Sequence, residues 1–268
     1  MTIPFTKAHG AQNDFLLTWT NDAPRENLPE IARAICARHT GVGADGWMLV
    51  SGPPEGAGYH GTIRLFNADG SEPELSGNGT RCAAAFLMDA GVAAGEEVRI
   101  ATGAGLKQLR LIERTGLRFL FEMNMGRPVY SEDQVRFPLA LAGGPREVTA
   151  LNVGNPQCAV FVDGFDFDWR AMGAEIESHP FFPNRTNVSF VHPLDEHTID
   201  VRFYERGCGE TMSSGTGSTG AAAAAVLRGV ALSPIRVLTP AGALDWRWDG
   251  DLYLAGPAEI VAGGEFYC

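Results

Sequence analysis

Ile63-Arg64-Leu65-Phe66-Asn67-Ala68-Asp69-Gly70-Ser71-Glu72-Pro73-Glu74-Leu75-Ser76-Gly77-Asn78-Gly79-Thr80-Arg81-Cys82-Ala83-Ala84-Ala85-Phe86 returns later in the same chain. The second copy reads Val201-Arg202-Phe203-Tyr204-Glu205-Arg206-Gly207-Cys208-Gly209-Glu210-Thr211-Met212-Ser213-Ser214-Gly215-Thr216-Gly217-Ser218-Thr219-Gly220-Ala221-Ala222-Ala223-Ala224. A constant offset without a gap superposes Arg64 on Arg202, Glu72 on Glu210, Ser76 on Ser214, Gly77 on Gly215, Gly79 on Gly217 and Gly91 on Gly229. Each copy reads as a strand, a Gly-rich turn and a helix. Two copies imply two similar halves about an approximate two-fold axis, with one Ser-Gly-x-Gly turn on each side of a ligand held in the cleft. That geometry suits chemistry on opposite faces of one atom.

Outward from the repeat, apolar or alternating runs at 46–50, 117–122 and 158–162, cut by Gly, Pro, Asn and Asp, read as strands. The segments 80–90 and 218–228 read as helices. The second, rich in alanine, has no polar face of any width, so it is expected to be buried on nearly all sides. Gly91 and Gly229 stand where a helix C-terminus turns left-handed. The expected fold is therefore α/β: two pseudo-symmetric halves, each a curved mixed or antiparallel sheet wrapped round a central helix. The join is placed so that 1–123 form the N-terminal half and 124–268 the C-terminal half, the last strand packing back onto the first half.

Composition narrows the function. The 268 residues carry a net charge of -11, which disfavours nucleic acid and anionic membranes as partners. No apolar run reaches transmembrane length, and the first residues lack the pattern of a secretion signal. The cysteines (Cys36, Cys82, Cys158, Cys208 and Cys268) are odd in number and unpatterned, so a reduced, cytoplasmic protein is expected. An anionic ligand would need local donors to overcome the overall field. Arg64, Arg81, Arg206 and the two helix starts are the candidates.

The Gly-rich turns carry the chemistry. Ser76-Gly77-Asn78-Gly79-Thr80 and Ser214-Gly215-Thr216-Gly217-Ser218 each lead into a helix, whose first N–H groups lack intrahelical partners and whose dipole favours an anion. Alternate glycines would let the backbone approach a ligand. Neither turn has the Lys-Ser/Thr of a P-loop or the glycine spacing of a dinucleotide site, and a carboxylate fits better than a phosphate. A single such turn would be read as an ordinary helix start; two matched copies favour a site.

The chain resembles the diaminopimelate epimerase family. The resemblance rests on Gly10-Ala11-Gln12-Asn13-Asp14-Phe15, Arg38-His39-Thr40-Gly41-Val42-Gly43-Ala44-Asp45-Gly46 and Asn67-Ala68-Asp69-Gly70-Ser71-Glu72. It continues through Gly77-Asn78-Gly79-Thr80-Arg81-Cys82, Gly154-Asn155-Pro156, Arg185-Thr186-Asn187-Val188 and Glu205-Arg206-Gly207-Cys208-Gly209-Glu210-Thr211. These motifs follow the family's order over nearly the whole chain. The resemblance implies a fold of two α/β domains and interconversion of LL- and meso-diaminopimelate without pyridoxal phosphate or other cofactor, for lysine and cell-wall synthesis. It implies that Gly77, Asn78, Gly215 and Thr216 hold the carboxylate at the reacting centre. It also implies that Asn13, Asn67, Asn155, Asn187, Glu205 and Arg206 recognise the rest of a small amino-acid substrate. Members are often homodimers, so a homodimer is expected.

Where the family carries its two acid/base cysteines, this chain has Ser76 and Ser214, and the family's Gly-Asn-Pro-His reads Gly154-Asn155-Pro156-Gln157. Removing an α-proton needs a base near the working pH. A thiol with a free pKa of about 8.5, lowered at a helix N-terminus, meets that need. A serine hydroxyl needs a separate base to activate it. Ser76 and Ser214 nonetheless stand as the catalytic candidates. Three explanations remain open: an engineered double Cys→Ser variant that traps substrate, a natural isomerase or dehydratase branch with non-thiol groups, and an amino-acid-binding homologue without turnover. In the second, Glu72 and Glu210, each four residues before its serine, are the carboxylates to test, burial raising their pKa; the plainer reading has them hydrogen-bonding the turn that follows.

Other chemistries fit poorly. A pyridoxal phosphate enzyme needs a Schiff-base lysine, and the only lysines, Lys7 and Lys107, lie outside the Gly-rich turns. His192 to His197 could be read as a metal tract, but a Pro-containing solvated loop is expected there and no metal site is assigned. Neither serine lies in Gly-x-Ser-x-Gly. Cys82 and Cys208 read as small buried residues, and Arg64 and Arg202 as braces for the two turns.

Overall fold

A computed structural model describes residues 2–73 and 75–267; Glu74 and Cys268 therefore lie outside the described residues. The chain divides into two compact units, one of residues 1–123 with 256–268 and one of residues 124–255.

The first unit contains β1 (Thr2–Gly10), β2 (Asn13–Trp19), α1 (Leu28–Cys36), β3 (Gly46–Ser51), β4 (Gly61–Asn67), α2 (Gly77–Asp89), β5 (Glu97–Thr102), β6 (Gly105–Thr115) and most of β7 (Arg118–Gly126), whose end from Asn124 onward belongs to the second unit. The second contains β8 (Phe137–Leu141), β9 (Gly144–Asn152), β10 (Pro156–Phe161), α3 (Trp169–Glu177), β11 (Asn187–Asp195), β12 (Thr198–Glu205), β13 (Gly209–Thr211), α4 (Gly215–Leu227), β14 (Ile235–Thr239) and β15 (Gly242–Asp249). The last strand, β16 (Asp251–Tyr267), begins in the second unit and ends in the first.

Parallel strand pairs need a crossover of some length, and each helix supplies one. α1 joins the parallel pair β2–β3 and α2 the pair β4–β5. In the second unit α3 joins β10–β11 and α4 joins β12–β14. The other registered pairings within each unit are antiparallel hairpin or meander contacts, such as β3–β4 and β14–β15. In the first unit the strand order runs β1-β2-β3-β4-β5-β6-β7, and β16 lies beside both β7 and β1, closing an eight-strand barrel. Closure leaves that unit no open sheet edge. In the second the order is β8-β9-β10-β11-β12-β14-β15-β16, with β13 added beside β12.

The two kinds of crossover helix differ in burial. α1 and α3 bury one face each, through Leu28, Ala32, Ile35 and Cys36 and through Trp169, Gly173, Ile176 and Glu177. By contrast α2 is buried at every residue from Gly77 to Met88, against β1, β2, β4 and β5. Ala221 to Ala225 of α4 are wholly inaccessible, packed among β9, β10, β11, β12, β14 and β15. Alanine side chains let strands approach this helix closely from several sides, and any larger residue there would overpack the unit.

Both central helices end alike. Gly91 (φ +72°) donates to Met88 O at 3.2 Å while Val92 N reaches Leu87 O at 2.9 Å. Gly229 (φ +69°) donates to Val226 O at 3.0 Å while Val230 N reaches Ala225 O at 3.0 Å. This is the left-handed stop that satisfies the last helix carbonyls, and glycine adopts it without a Cβ penalty. Among the described residues no helix is long and apolar enough to cross a membrane.

Candidate active site

Ser76 and Ser214 are the N-cap residues of α2 and α4, so each helix begins three residues before its expected start. Their backbones are extended (φ −126° and −137°), and each Oγ accepts from the N–H three residues on, Gly79 and Gly217, at 3.1 Å. Thr80 N and Ser218 N close the first helical turns onto Ser76 O and Ser214 O at 2.8 and 2.9 Å. The amides of Gly77 and Asn78, and of Gly215 and Thr216, occupy the first two helical positions, where no intrahelical acceptor exists. These are the four residues assigned to the substrate carboxylate.

The glycines inside the turns have a packing reason beyond access. A Cβ on Gly79 would sit 2.8 Å from Met48 Cε and 3.2 Å from Ser76 Cβ. One on Gly217 would sit 2.8 Å from Phe203 Cδ1 and 2.9 Å from Ser214 Cβ. The expected role, close approach of a ligand to the backbone, is thus joined by the need to seat the cap serine against the strands below.

Each turn is held by an asparagine. Asn78 Nδ2 donates to Asn13 Oδ1 at 3.3 Å, and Asn13 Nδ2 donates to Asp45 Oδ2 at 2.7 Å. In the second unit Asn155 Nδ2 donates to Thr216 Oγ1 at 3.3 Å, and Gln157 Nε2 donates to Asn155 Oδ1 at 2.6 Å. Gln157 Oε1 is buried without a partner among the described residues.

Beneath the first turn lies a wholly buried guanidinium. Arg81 Nη2 donates to Asn78 Oδ1 at 2.5 Å and Nε to Pro257 O at 3.1 Å. Burial lowers its pKa to about 10, which still leaves it charged at neutral pH. A fixed positive charge under a helix start adds to the dipole's preference for an anion there.

The second turn carries a different group. Ser214 is buried and its Oγ donates to Glu205 Oε2 at 2.9 Å, while Thr211 Oγ1 donates to Glu205 Oε1 at 2.6 Å. Glu205 ends β12, and β13 folds back on it, Glu205 opposite Gly209 and Phe203 opposite Thr211. Desolvation raises the Glu205 pKa above the ordinary carboxylate value, although the two hydroxyl donors oppose the rise. Asn187 Nδ2 donates to Pro156 O at 3.2 Å, and its Oδ1 accepts from Arg206 N at 3.0 Å. The exposed Arg206 donates from Nη1 to Asn184 O at 3.1 Å.

Within the first unit, then, Asn13, Asn78 and the Ser76 cap are brought together. Asn67 instead donates to Ser71 Oγ at 2.9 Å, within its own turn. Within the second, Asn155 meets Thr216, Glu205 meets Ser214, and Asn187 holds the Arg206 backbone.

Several expectations need correction. Glu72 and Glu210 are not buried bases. Both are exposed and held in two-pronged ion pairs, Glu72 by Arg64 (2.6 and 2.8 Å) and Glu210 by Arg170 (2.6 and 2.8 Å). The Arg64 hydrogen bond holds the Glu72 carboxyl below its ordinary value, the opposite of the shift a base would need. Arg202 does not brace the second turn; it pairs with Asp200 on its own strand and lies over the Phe165 ring. Cys208 is exposed, unlike the buried Cys82. His192 and Pro193 lie in β11 rather than in a loop, with His192 Nδ1 3.1 Å from Val162 O.

The contact at the second turn that sequence reading missed is Ser214–Glu205. The signal was available: the offset that superposes the two serines also superposes Asn67 on Glu205, an amide against a carboxylate.

The diaminopimelate epimerase family model matches residues 5–131 and 149–261. The chain is 38% identical over 277 residues to the diaminopimelate epimerase of Pelotomaculum thermopropionicum, covering 98% of each protein. It is 40% identical over 280 residues to that of Moorella thermoacetica, again covering 98% of each. Among solved structures it is similar to the phenazine biosynthesis protein of the PhzF family from Bacillus anthracis (TM-score 0.71, 15% identity, 100% of both chains). It is equally similar to a hydroxyproline epimerase from Agrobacterium vitis (TM-score 0.71, 14% identity, 98% of this chain and 92% of that one). These two likenesses speak for the fold.

Proposed function

Because this chain belongs to the diaminopimelate epimerase family, we propose that it is a cofactor-independent epimerase moving a proton at one α-carbon of diaminopimelate between the LL and meso forms. The observation that carries the reading is the pair of serine-capped helix starts, each braced by an asparagine on the residue two beyond the serine. Two turns of one design suit a reaction that needs an acid and a base on a single stereocentre.

In this reading the amides of Gly77, Asn78, Gly215 and Thr216 take the carboxylate next to the reacting carbon. Their N–H dipoles stabilise the negative charge that moves into that carboxylate when the α-proton leaves. Asn13, Asn67, Asn155, Asn187, Glu205 and Arg206 take the substrate's amino groups and its far end. Ser76 and Ser214 stand in the acid/base positions. A hydroxyl is a far poorer base than a thiolate at neutral pH, so turnover is expected to be slow while binding is retained. The compartment is read as cytoplasmic, supported by the free, buried thiols of Cys36, Cys82 and Cys158.

Titration calorimetry with LL- and meso-diaminopimelate, lysine and glutamate tests the reading. Both diaminopimelate isomers should bind at least about tenfold more tightly than lysine, which lacks the second carboxylate. Equal affinity for lysine would overturn it.

A further inference from the structure

We propose that Glu177 is a positioning residue: its buried carboxylate sets Asn187 against Arg206 and so decides how well the site takes a substrate with a second amino-acid end. This rests on the reading of the previous subsection and deepens it. Glu177 is the last residue of α3 and is 2% exposed. A carboxylate almost never occupies such a place unless it is paired and its oxygens are hydrogen-bonded.

Glu177 holds the entry to β11 and the exit from β12. On the β11 side Oε2 accepts from Arg185 Nε at 3.0 Å and from Arg185 Nη2 at 2.5 Å. The Glu177 carbonyl accepts from Thr186 N at 3.1 Å. On the β12 side Oε1 accepts from Gly207 N at 3.2 Å. Each of these contacts ends beside a residue assigned to the substrate, for Asn187 follows Thr186 and Arg206 precedes Gly207. The two sides then meet: Asn187 Oδ1 accepts from Arg206 N at 3.0 Å, and Arg206 Nη1 donates to Asn184 O at 3.1 Å. One buried anion thus stands at the base of a closed ring of contacts.

Backbone angles show what the carboxylate restrains. Arg185 lies at φ +58°, a left-handed conformation unfavourable for a residue with a long side chain. Its two bonds to Glu177 keep it there. Gly207, at φ +78°, adopts the same region without a Cβ penalty and presents its N–H to Glu177. Without the carboxylate, Arg185 relaxes towards an ordinary backbone angle and turns the Asn187 amide, two residues on, with it. The Gly207 N–H loses its acceptor, and the register of Arg206 loosens. A guanidinium recognises a carboxylate through directed N–H bonds, so this loss falls on a ligand with a far carboxylate and spares one without it.

The experiment titrates the full-length protein by calorimetry with meso-diaminopimelate and with lysine, which lacks the far carboxylate. The unmodified chain should prefer diaminopimelate by at least about tenfold. Glu177→Gln removes the charge at nearly constant shape. It should lower diaminopimelate affinity by about tenfold, the cost of one charge-assisted contact, and lysine affinity by less than about threefold. Glu175→Gln, on the same helix but bonded to Ala142 N, should keep the preference. If Glu177→Gln melts below the temperature of titration, Arg185→Lys carries the test. It keeps a cation beside Glu177 without the two bonds from one guanidinium, and the preference should fall by at least about threefold. A folded Glu177→Gln with its preference intact would overturn the positioning role and leave the substrate reading standing. Equal losses for both ligands would overturn it too, because a purely structural residue lowers both alike; so would loss of the preference in Glu175→Gln. If the unmodified chain shows no preference, the substrate reading fails and the positioning role fails with it.

Discussion

Ser214 donates its hydroxyl proton to Glu205 across 2.9 Å, while the equivalent place before Ser76 holds Asn67, bonded to Ser71. The two turns share backbone geometry but not acid/base equipment. The repeat has kept two like scaffolds while the side chains beside the two serines differ.

That divergence sets a pH dependence. Burial raises the Glu205 pKa, opposed by the donors on Thr211 and Ser214. Only the ionised carboxylate accepts a proton, so exchange of the substrate's α-proton with deuterated water should fall as pH drops through a value above the ordinary glutamate figure of about 4.3. Glu205→Gln should abolish that inflection. A profile of exchange rate against pH checks it, and an inflection that survives the substitution would contradict it.

The seat of the second turn should tolerate no methyl group. Gly217→Ala places a Cβ 2.8 Å from Phe203 Cδ1 and 2.9 Å from Ser214 Cβ, both anchored in the packed interior of the second unit. Overpacking of this kind costs about 1–3 kcal/mol. Urea denaturation should show that loss, together with weaker substrate binding as the cap serine is displaced. Unchanged stability would mean that the turn is not packed as described.

Asp14 should make a pH-dependent contribution to stability. Burial opposes its ionisation, but Arg38 at 2.9 Å and Lys7 at 3.0 Å outweigh burial and lower its pKa. Its carboxylate also accepts from Asp45 N at 3.0 Å. The folded pKa lies below the unfolded one, so the stabilisation is complete above about pH 4 and is lost as pH falls through the folded value. Asp14→Asn should therefore cost about 2 kcal/mol at neutral pH, and less as the pH falls through the lowered folded value. Denaturation curves at several pH values check it; a difference that does not shrink in acid would contradict the assignment.

Much of this arrangement was legible in the chain. The ungapped repeat located both central helices and their glycine stops, because C-terminal signals are local and depend on a few neighbouring residues. The helix starts were misplaced by three residues because the glycines of each turn were read as loop when they form the first helical turn. What stayed hidden depended on long-range partners. Glu72 and Glu210 look equivalent in sequence, yet one is claimed by Arg64 of β4 and the other by Arg170 of α3. Cys82 and Cys208 occupy non-equivalent places, one inside α2 and the other in the exposed β12–β13 turn. The Ser214–Glu205 contact arises only when β13 folds back along β12, and hydrophobic patterning carries no trace of a strand of three residues.

The most direct test of the whole account is the double variant Ser76→Cys with Ser214→Cys, incubated with LL-diaminopimelate and followed by chiral chromatography. Thiols near their working pKa restore a self-sufficient base at each turn, so meso-diaminopimelate should appear at least about a hundredfold faster than with the parent chain. A double variant that binds the substrate and still fails to invert it would contradict the claim that an epimerase scaffold is held back here by two hydroxyls.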